Sequence, residues 1–325
     1  MISRRTLLYS ASGPLWWRLA AAQAPDKSAS ALFAFHNRLW LNLHHFLYVL
    51  GRAKNNSPDS RRATVAGAIA DRAGFEDLSA EDRARWENAV ATYSQTVSRK
   101  DLLFDAPLAL ATRKIAALDD SARALPDDLD RDVRQALGDA APVYRRVWWD
   151  RHSDSNRQRI GELGALVNRY GNALALEVSR LWMNEWPPAG FDVQVAAYAS
   201  WAGAYSASTG LIVLASTDRA QAGTQGLESV FHEAMHQWDD DMDLRIGKIA
   251  QELKVRVPAQ FSHSLIFYTA GYAVSKAIPG HQPYAIANGL WAGGALTPVE
   301  KLDRFWLPYL EGKTNIDAAL RSLLL

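Results

Sequence analysis

Cysteine is missing from all 325 residues. Its absence removes disulfides, thiolate metal ligands, cysteine nucleophiles and a lipid-modified cysteine anchor together. Any metal held here must be held by His, Asp or Glu. Excess charge is missing too: 36 Lys and Arg stand against 35 Asp and Glu, a formal net charge of +1. That balance generates no field to gather nucleic acid or an anionic membrane surface. Beyond the N-terminal segment no stretch approaches the ~18 uninterrupted apolar residues of a membrane span, so none is expected after signal removal. Internal repeats and low-complexity tracts are absent. What is present is a 48% hydrophobic, 22% charged chain, long enough for one large or two modest domains with a real core.

The start, MISRRTLLYSASGPLWWRLAAAQAPDK, joins Arg4 and Arg5 to an apolar run and a small-residue stretch ending in AAAQA. That is the pattern of an export signal, with cleavage near Ala22 or Ala24 and a periplasmic or secreted product. SRRTLL is similar to a twin-arginine signal, although the usual phenylalanine and lysine are missing and Arg18 interrupts the apolar run. The alternative is an amphipathic first helix of the folded protein.

Three regions follow from the pattern: a signal over 1–24, a helical N-terminal region over 25–186, and a mixed region over 187–325. FAFHNRLWLNLHHFLYVLGRA reads as one buried helix stopped near Gly51. LSAEDRARWENAVATYSQTVS opens with Ser79 and Asp82 in capping-box spacing, and Pro126 stands where a new helix would begin. RQRIGELGALVNRYGNALALEVSRLWMNEW is a long helix ending before Pro187 and Pro188. Beyond the prolines, FDVQVAAYASWAGAYSAS and GLIVLAS are β-rich runs meeting near Thr209 and Gly210 as in a hairpin. GTQGLESVFHEAMHQWDDDM is helical, LRIGKIAQELKV is a short amphipathic helix, and SHSLIFYTAGYAVSKA is a helix apolar almost all round. The fold class is therefore α+β, mainly α.

FHEAMHQW carries the chemistry. On a helix, His232 and His236 point from one face a turn apart and can bracket one ion. Zinc binds neutral imidazoles, and a catalytic zinc uses three protein ligands with the fourth position left to water. Glu233 is rotated by about 100° from His232, beside the ion, where its carboxylate can take a proton from water that the metal acidifies. Asp239 and Asp240 lie too far along a straight helix to reach the shared ion, and are placed to orient His236 or to be solvated, the role expected of Asp241. The candidates for a third ligand are Glu252, His263 and His281. His263 is preferred, because it shares a stripe of the buried helix with Ile266, Phe267, Ala270 and Val274, and a buried imidazole needs a partner. Glu252 sits at the wet edge of its helix. The alternatives for the His pair are hydrogen-bonded core histidines, or a di-iron carboxylate site, for which a second ExxH unit is lacking.

With His232, Glu233 and His236 on a helix that follows strands, residues 190–280 resemble the zincin metallopeptidases. The resemblance implies a small zincin-like unit, a β-hairpin or small antiparallel sheet plus the active-site helix, packed on the helical N-terminal part. It implies Zn²⁺ held by the two imidazoles, and Glu233 as general base in hydrolysis of a peptide or protein substrate. QWDDDM departs from the metzincin continuation of glycine and histidine, which excludes that subfamily; the gluzincin pattern would take its third ligand from a glutamate on a later helix. Tyr268, Tyr272 and Tyr284 are candidate oxyanion donors, with Tyr268 named first. His44 and His45 are candidate substrate or transition-state contacts, His44 foremost, or else core histidines. SWAGAYSAS has small side chains that would let an extended peptide pair with an edge strand, or it is an ordinary hairpin.

Overall fold

A computed structural model describes residues 32–55, 57, 63–200, 202–207 and 210–325. The expected export signal lies outside the described residues.

Phe33 and Phe35 are buried while Ala34 and His36 are half-exposed. This period of two makes Phe33–His36 a strand, β1. The single helix expected from Phe33 onward is thus corrected: Asn37 and Arg38 separate β1 from helix α1 (Leu39–Lys54). Helices α2 (Ala63–Ala70), α3 (Ala80–Gln95), α4 (Ala106–Ala116) and α5 (Arg131–Tyr144) follow. Ser79 caps α3 as its spacing suggests, accepting the Asp82 N–H at 3.1 Å. Helix α5 does not begin at Pro126. It begins after Asp130, whose carboxylate accepts the N–H groups of Asp132 and Val133 at 2.9 and 3.2 Å, because a side-chain acceptor satisfies orphan donors that proline cannot. A π-helical turn, Arg145–Trp149, leads into the long helix α6 (Asp150–Trp182).

Strands β2 (Phe191–Ala196), β3 (Ala204–Ser206) and β4 (Ile212–Ala215) complete a four-stranded sheet in the order β1-β2-β4-β3. The expected hairpin is β3 against β4, with Tyr205 opposite Val213. The sheet itself is mixed, since β2 runs parallel to both β1 and β4. The three residues of edge strand β3 are buried, which leaves no exposed edge there for an added peptide strand. Helix α7 (Gly223–Met235) passes through a 3₁₀ turn, His236–Trp238, into α8 (Asp239–Leu253), so the three aspartates open α8 instead of closing α7. Helices α9 (Phe261–Ala277), α10 (Tyr284–Ala287), α11 (Val299–Phe305), α12 (Leu307–Leu310) and α13 (Ile316–Leu324) complete the chain. The architecture is α+β and mainly α.

Two compact units interleave along the sequence. One runs to Gly164 and adds Phe191–Gln221, so it holds the whole sheet and α1 to α5. The other takes Ala165–Gly190 and Ala222–Leu325. This division differs from a single cut at Pro187, because α6 runs through both units and β2 to β4 share a sheet with the N-terminal β1.

In the sheet-bearing unit, Trp86 stacks on Trp148 at 4.4 Å and Phe46 packs against both. The Asn156 side chain bridges Asn37, Asn42 and Ser216, which satisfies polar groups that burial would otherwise strand. His44 and His45 are fully buried on α1. His44 uses one nitrogen on the Tyr93 hydroxyl at 2.9 Å and the other on Thr112 Oγ1 at 3.2 Å. His45 donates from Nδ1 to the Leu41 carbonyl at 2.9 Å, and Nε2 accepts from the Tyr205 hydroxyl at 2.8 Å.

Burial holds the His44 imidazole well below its ordinary range, helped by His45, and lowers His45 to about 4. Both rings therefore fold in the neutral state. Between pH 4 and 6.5 the unfolded chain binds more protons than the native one, so stability rises with pH over that window. The contribution is complete above pH 6.5 and is lost as pH falls toward 4, with His45 alone accounting for on the order of 3 kcal/mol. Urea denaturation is expected to give a lower midpoint at about pH 5 than at about pH 7, with a smaller difference for His45→Gln. An unchanged midpoint would contradict neutral burial.

Candidate metal centre

Leu227, Val230, Phe231, Ala234 and Met235 bury one side of α7. Leu265, Ile266, Ala270 and Val274 bury the side of α9 in the same unit. These apolar faces bring the polar residues interleaved with them together. His232 and His236 are each 5% exposed and His263 is half-buried. His232 Nε2 lies 3.2 Å from His236 Nε2 and 3.2 Å from His263 Nε2. Among the described residues this is a group of three potential metal ligands, with all donor atoms within 4.8 Å of one another.

The opposite ring nitrogens fix which atoms face inward. His236 Nδ1 is 2.9 Å from Asp239 Oδ2. A carboxylate there only accepts, so Nδ1 carries the proton and Nε2 presents its lone pair. His263 Nδ1 stands 2.9 Å from Gln260 Oε1 and is assigned the same tautomer from this bond. Two lone pairs are thus aimed at the third imidazole. A single proton is a poor solution for three converging nitrogens, whereas one cation accepts a lone pair from each. With Zn–N bonds of about 2.0 to 2.1 Å, a tetrahedral site spaces its nitrogens about 3.3 Å apart. The observed spacing fits that requirement. Asp239 takes the orienting role, as its distance from His232 along the helix suggested. Asp241 is exposed, as expected, and accepts a hydrogen bond from the Asn184 side chain at 2.8 Å.

Of the rivals for third ligand, Glu252 is exposed and ion-paired with Arg321. His281 is a core histidine: its Nε2 donates to Glu228 Oε2 at 2.6 Å, and Nδ1 accepts from Thr224 Oγ1 at 2.8 Å. The pair lies almost wholly buried, its side chains 0% and 1% exposed. Burial pushes the Glu228 carboxyl up, opposed by the bonds from His281 and the Tyr284 N–H. Glu233, one step after His232 on α7, is 7% exposed.

The remaining sequence candidates separate by helix phase and by partner. Tyr268 is engaged elsewhere. It lies five positions past His263, turned by about 140°, and its hydroxyl donates to Asp303 at 2.5 Å. Burial and Asp303 hold its phenol above the ordinary tyrosine range. The Tyr272 hydroxyl reaches toward the Leu310 carbonyl at 3.5 Å. His44 is fully buried with both nitrogens bonded, to Tyr93 and to Thr112. The Tyr284 ring stacks on Phe267, and Phe267 lies 4.2 Å from the His232 ring and 4.6 Å from that of His263. The sequence reading missed Glu228, although it stands four residues before His232 on the face that carries the ligands.

No family model, curated protein or solved structure matches this chain. His263→Ala is expected to reduce zinc from about one ion per chain to a trace, while Glu252→Gln retains it. Asp239→Asn is expected to weaken zinc binding by about 10- to 100-fold. Elemental analysis and competition with a chromogenic chelator check all three. Retention by His263→Ala with loss in Glu252→Gln would reverse the assignment.

Proposed function

We propose that this chain is a zinc-dependent hydrolase of zincin type, a metallopeptidase acting on peptide or protein substrates outside the cytoplasm. The single observation that carries the reading is the convergence of His232, His236 and His263 on one point, with Glu233 directly after the first of them. The donor chemistry supports the metal: three imidazoles, no thiolate, and two of the rings fixed through their outer nitrogens suit zinc. Export rests on the N-terminal sequence pattern.

The count of donors favours catalysis over a structural ion. Structural zinc sites are closed by four protein ligands, whereas catalytic ones use three. Among the described residues the cluster holds three. That weighs against the rival reading, an exported binding or structural protein with a structural metal or none.

Each residue then has a defined task. His232, His236 and His263 would hold the ion through Nε2, with Asp239 and Gln260 keeping the last two rings in the tautomer that frees Nε2. Zinc, when bound, supplies Lewis-acid polarisation of the substrate carbonyl and lowers the pKa of water to about 7. The Glu233 carboxylate takes the proton from the attacking water and returns it to the departing amine nitrogen as the C–N bond breaks. Its burial keeps that proton from bulk solvent.

Glu233→Gln leaves the three imidazoles untouched. It is expected to retain zinc at the wild-type level and to lose about 10²- to 10⁴-fold in hydrolysis of a peptide library read by mass spectrometry. A zinc-loaded wild type that cleaves nothing, or an equally active Glu233→Gln, would overturn the reading.

A further inference from the structure

Phe46, Leu50 and Lys54 stand four residues apart on α1, so they form one stripe along that helix. The stripe is a wall of a cavity of about 470 Å³ in the sheet-bearing unit. The other walls come from α2 and the turn after it, from α3, and from the π-helical turn that precedes α6. Its volume lies in the range of small-molecule sites. The lining is apolar except for four charged residues, Lys54, Asp71, Arg72 and Glu87.

The cavity has unlike ends. At one, Phe46 packs against Trp86 and Trp148, and Trp148 belongs to the π-helical turn, a form found mostly at functional sites. Asp71, Arg72 and Glu87 gather there. Asp71 is spent on Arg151, His152 and Tyr198, and its carbonyl accepts the Trp148 indole N–H. Arg72 is bonded to Glu76 and lies over the Phe75 ring at 4.4 Å. Glu87 follows Trp86 directly on α3. Lys54 marks the other end, eight residues and about 12 Å along α1 from Phe46. It is exposed in the last turn of the helix and has no hydrogen bond or ion pair among the described residues. Between the ends, Leu50, Val90 and Ile69 offer aliphatic surface, and Ile69 is 47% exposed, so the wall is open to a ligand.

We propose that this cavity binds an aliphatic monocarboxylate, with its chain along Phe46, Leu50 and Val90 and its carboxylate on Lys54. The charges choose the class and the direction. A cation would need open ring faces, but these rings pack on one another and Arg72 covers Phe75. An anion at the aromatic end would meet the carboxylates of Asp71 and Glu87. Only the Lys54 end offers an unpaired opposite charge, and the apolar stretch between suits a chain that carries no polar group of its own. The site lies within the sheet-bearing unit and does not depend on the hydrolase reading.

Titration calorimetry of the full-length protein with hexanoate, octanoate and decanoate tests the apolar part. Affinity is expected to rise about 4-fold per added methylene, with a negative heat-capacity change. Octanol, octylammonium and octanedioate test the ends, and each is expected to bind more weakly than octanoate. Lys54→Gln changes an exposed side chain and is expected to keep the wild-type melting temperature. It should weaken octanoate by about 2- to 5-fold and leave octanol unchanged, while Lys54→Arg retains the wild-type preference. Ile69→Asp, also at an exposed position, is expected to weaken both ligands about 10-fold. No saturable binding of decanoate, an affinity flat with chain length, or octylammonium bound more tightly than octanoate would overturn the proposal. A preference for octanoate over octanol that survives in Lys54→Gln would overturn the placement of the carboxylate.

Discussion

Imidazole nitrogens facing one another across 3.2 Å are an unusual use of buried histidine, and the account of this protein depends on them. Neutral imidazole has one donor and one acceptor, and a folded chain ordinarily gives each a partner of the opposite kind. The other histidines follow that rule. His44, His45, His152 and His281 each bond a hydroxyl, a carbonyl or a carboxylate through both nitrogens, and His36 pairs with Asp192. The contrast lies inside one molecule. Where the fold wants a core histidine it supplies complementary partners, and at His232, His236 and His263 it turns like atoms toward a common point.

The surroundings of that point serve the same end. Two outer nitrogens are anchored by Asp239 and Gln260, which removes rotamer and tautomer freedom before any ion arrives. The Phe267 ring lies against two of the imidazoles, restricting water on that side. Behind the ligands, the Glu228–His281 pair and Thr224 join the chain after α9 back to α7. A 3₁₀ turn at His236–Trp238 follows α7, and Asp239, the first residue of α8, bonds His236. Geometry here is set by apolar packing of α7 on α9 and then refined by a few buried polar bonds.

Much of this was legible in the sequence, for identifiable reasons. The i, i+4 spacing of His232 and His236 fixes a shared helix face wherever the helix sits. His263 was legible because a histidine on a helix apolar almost all round needs a polar partner. Strand β1 was missed because FAFH runs without a break signal into an equally apolar helix, and only its pairing with β2, far along the chain, reveals the period of two. Glu228 and His281 were illegible as a pair because nothing local joins residues on separate elements. The partner of Tyr268 was illegible too, because Asp303, which takes its hydroxyl, stands on a separate element far along the chain. His44 and His45 stood undecided until Tyr93, Thr112 and Tyr205 were placed around them, since whether a buried imidazole is spent or free depends on side chains brought in by other elements.

X-ray absorption at the zinc edge of the purified wild-type protein tests the central claim most directly. Three nitrogen ligands at about 2.0 to 2.1 Å with one oxygen from solvent, and the imidazole scattering pattern lost on His263→Ala, is the result this account requires. A protein that carries no metal after zinc reconstitution, or a zinc closed by four protein ligands, would contradict it.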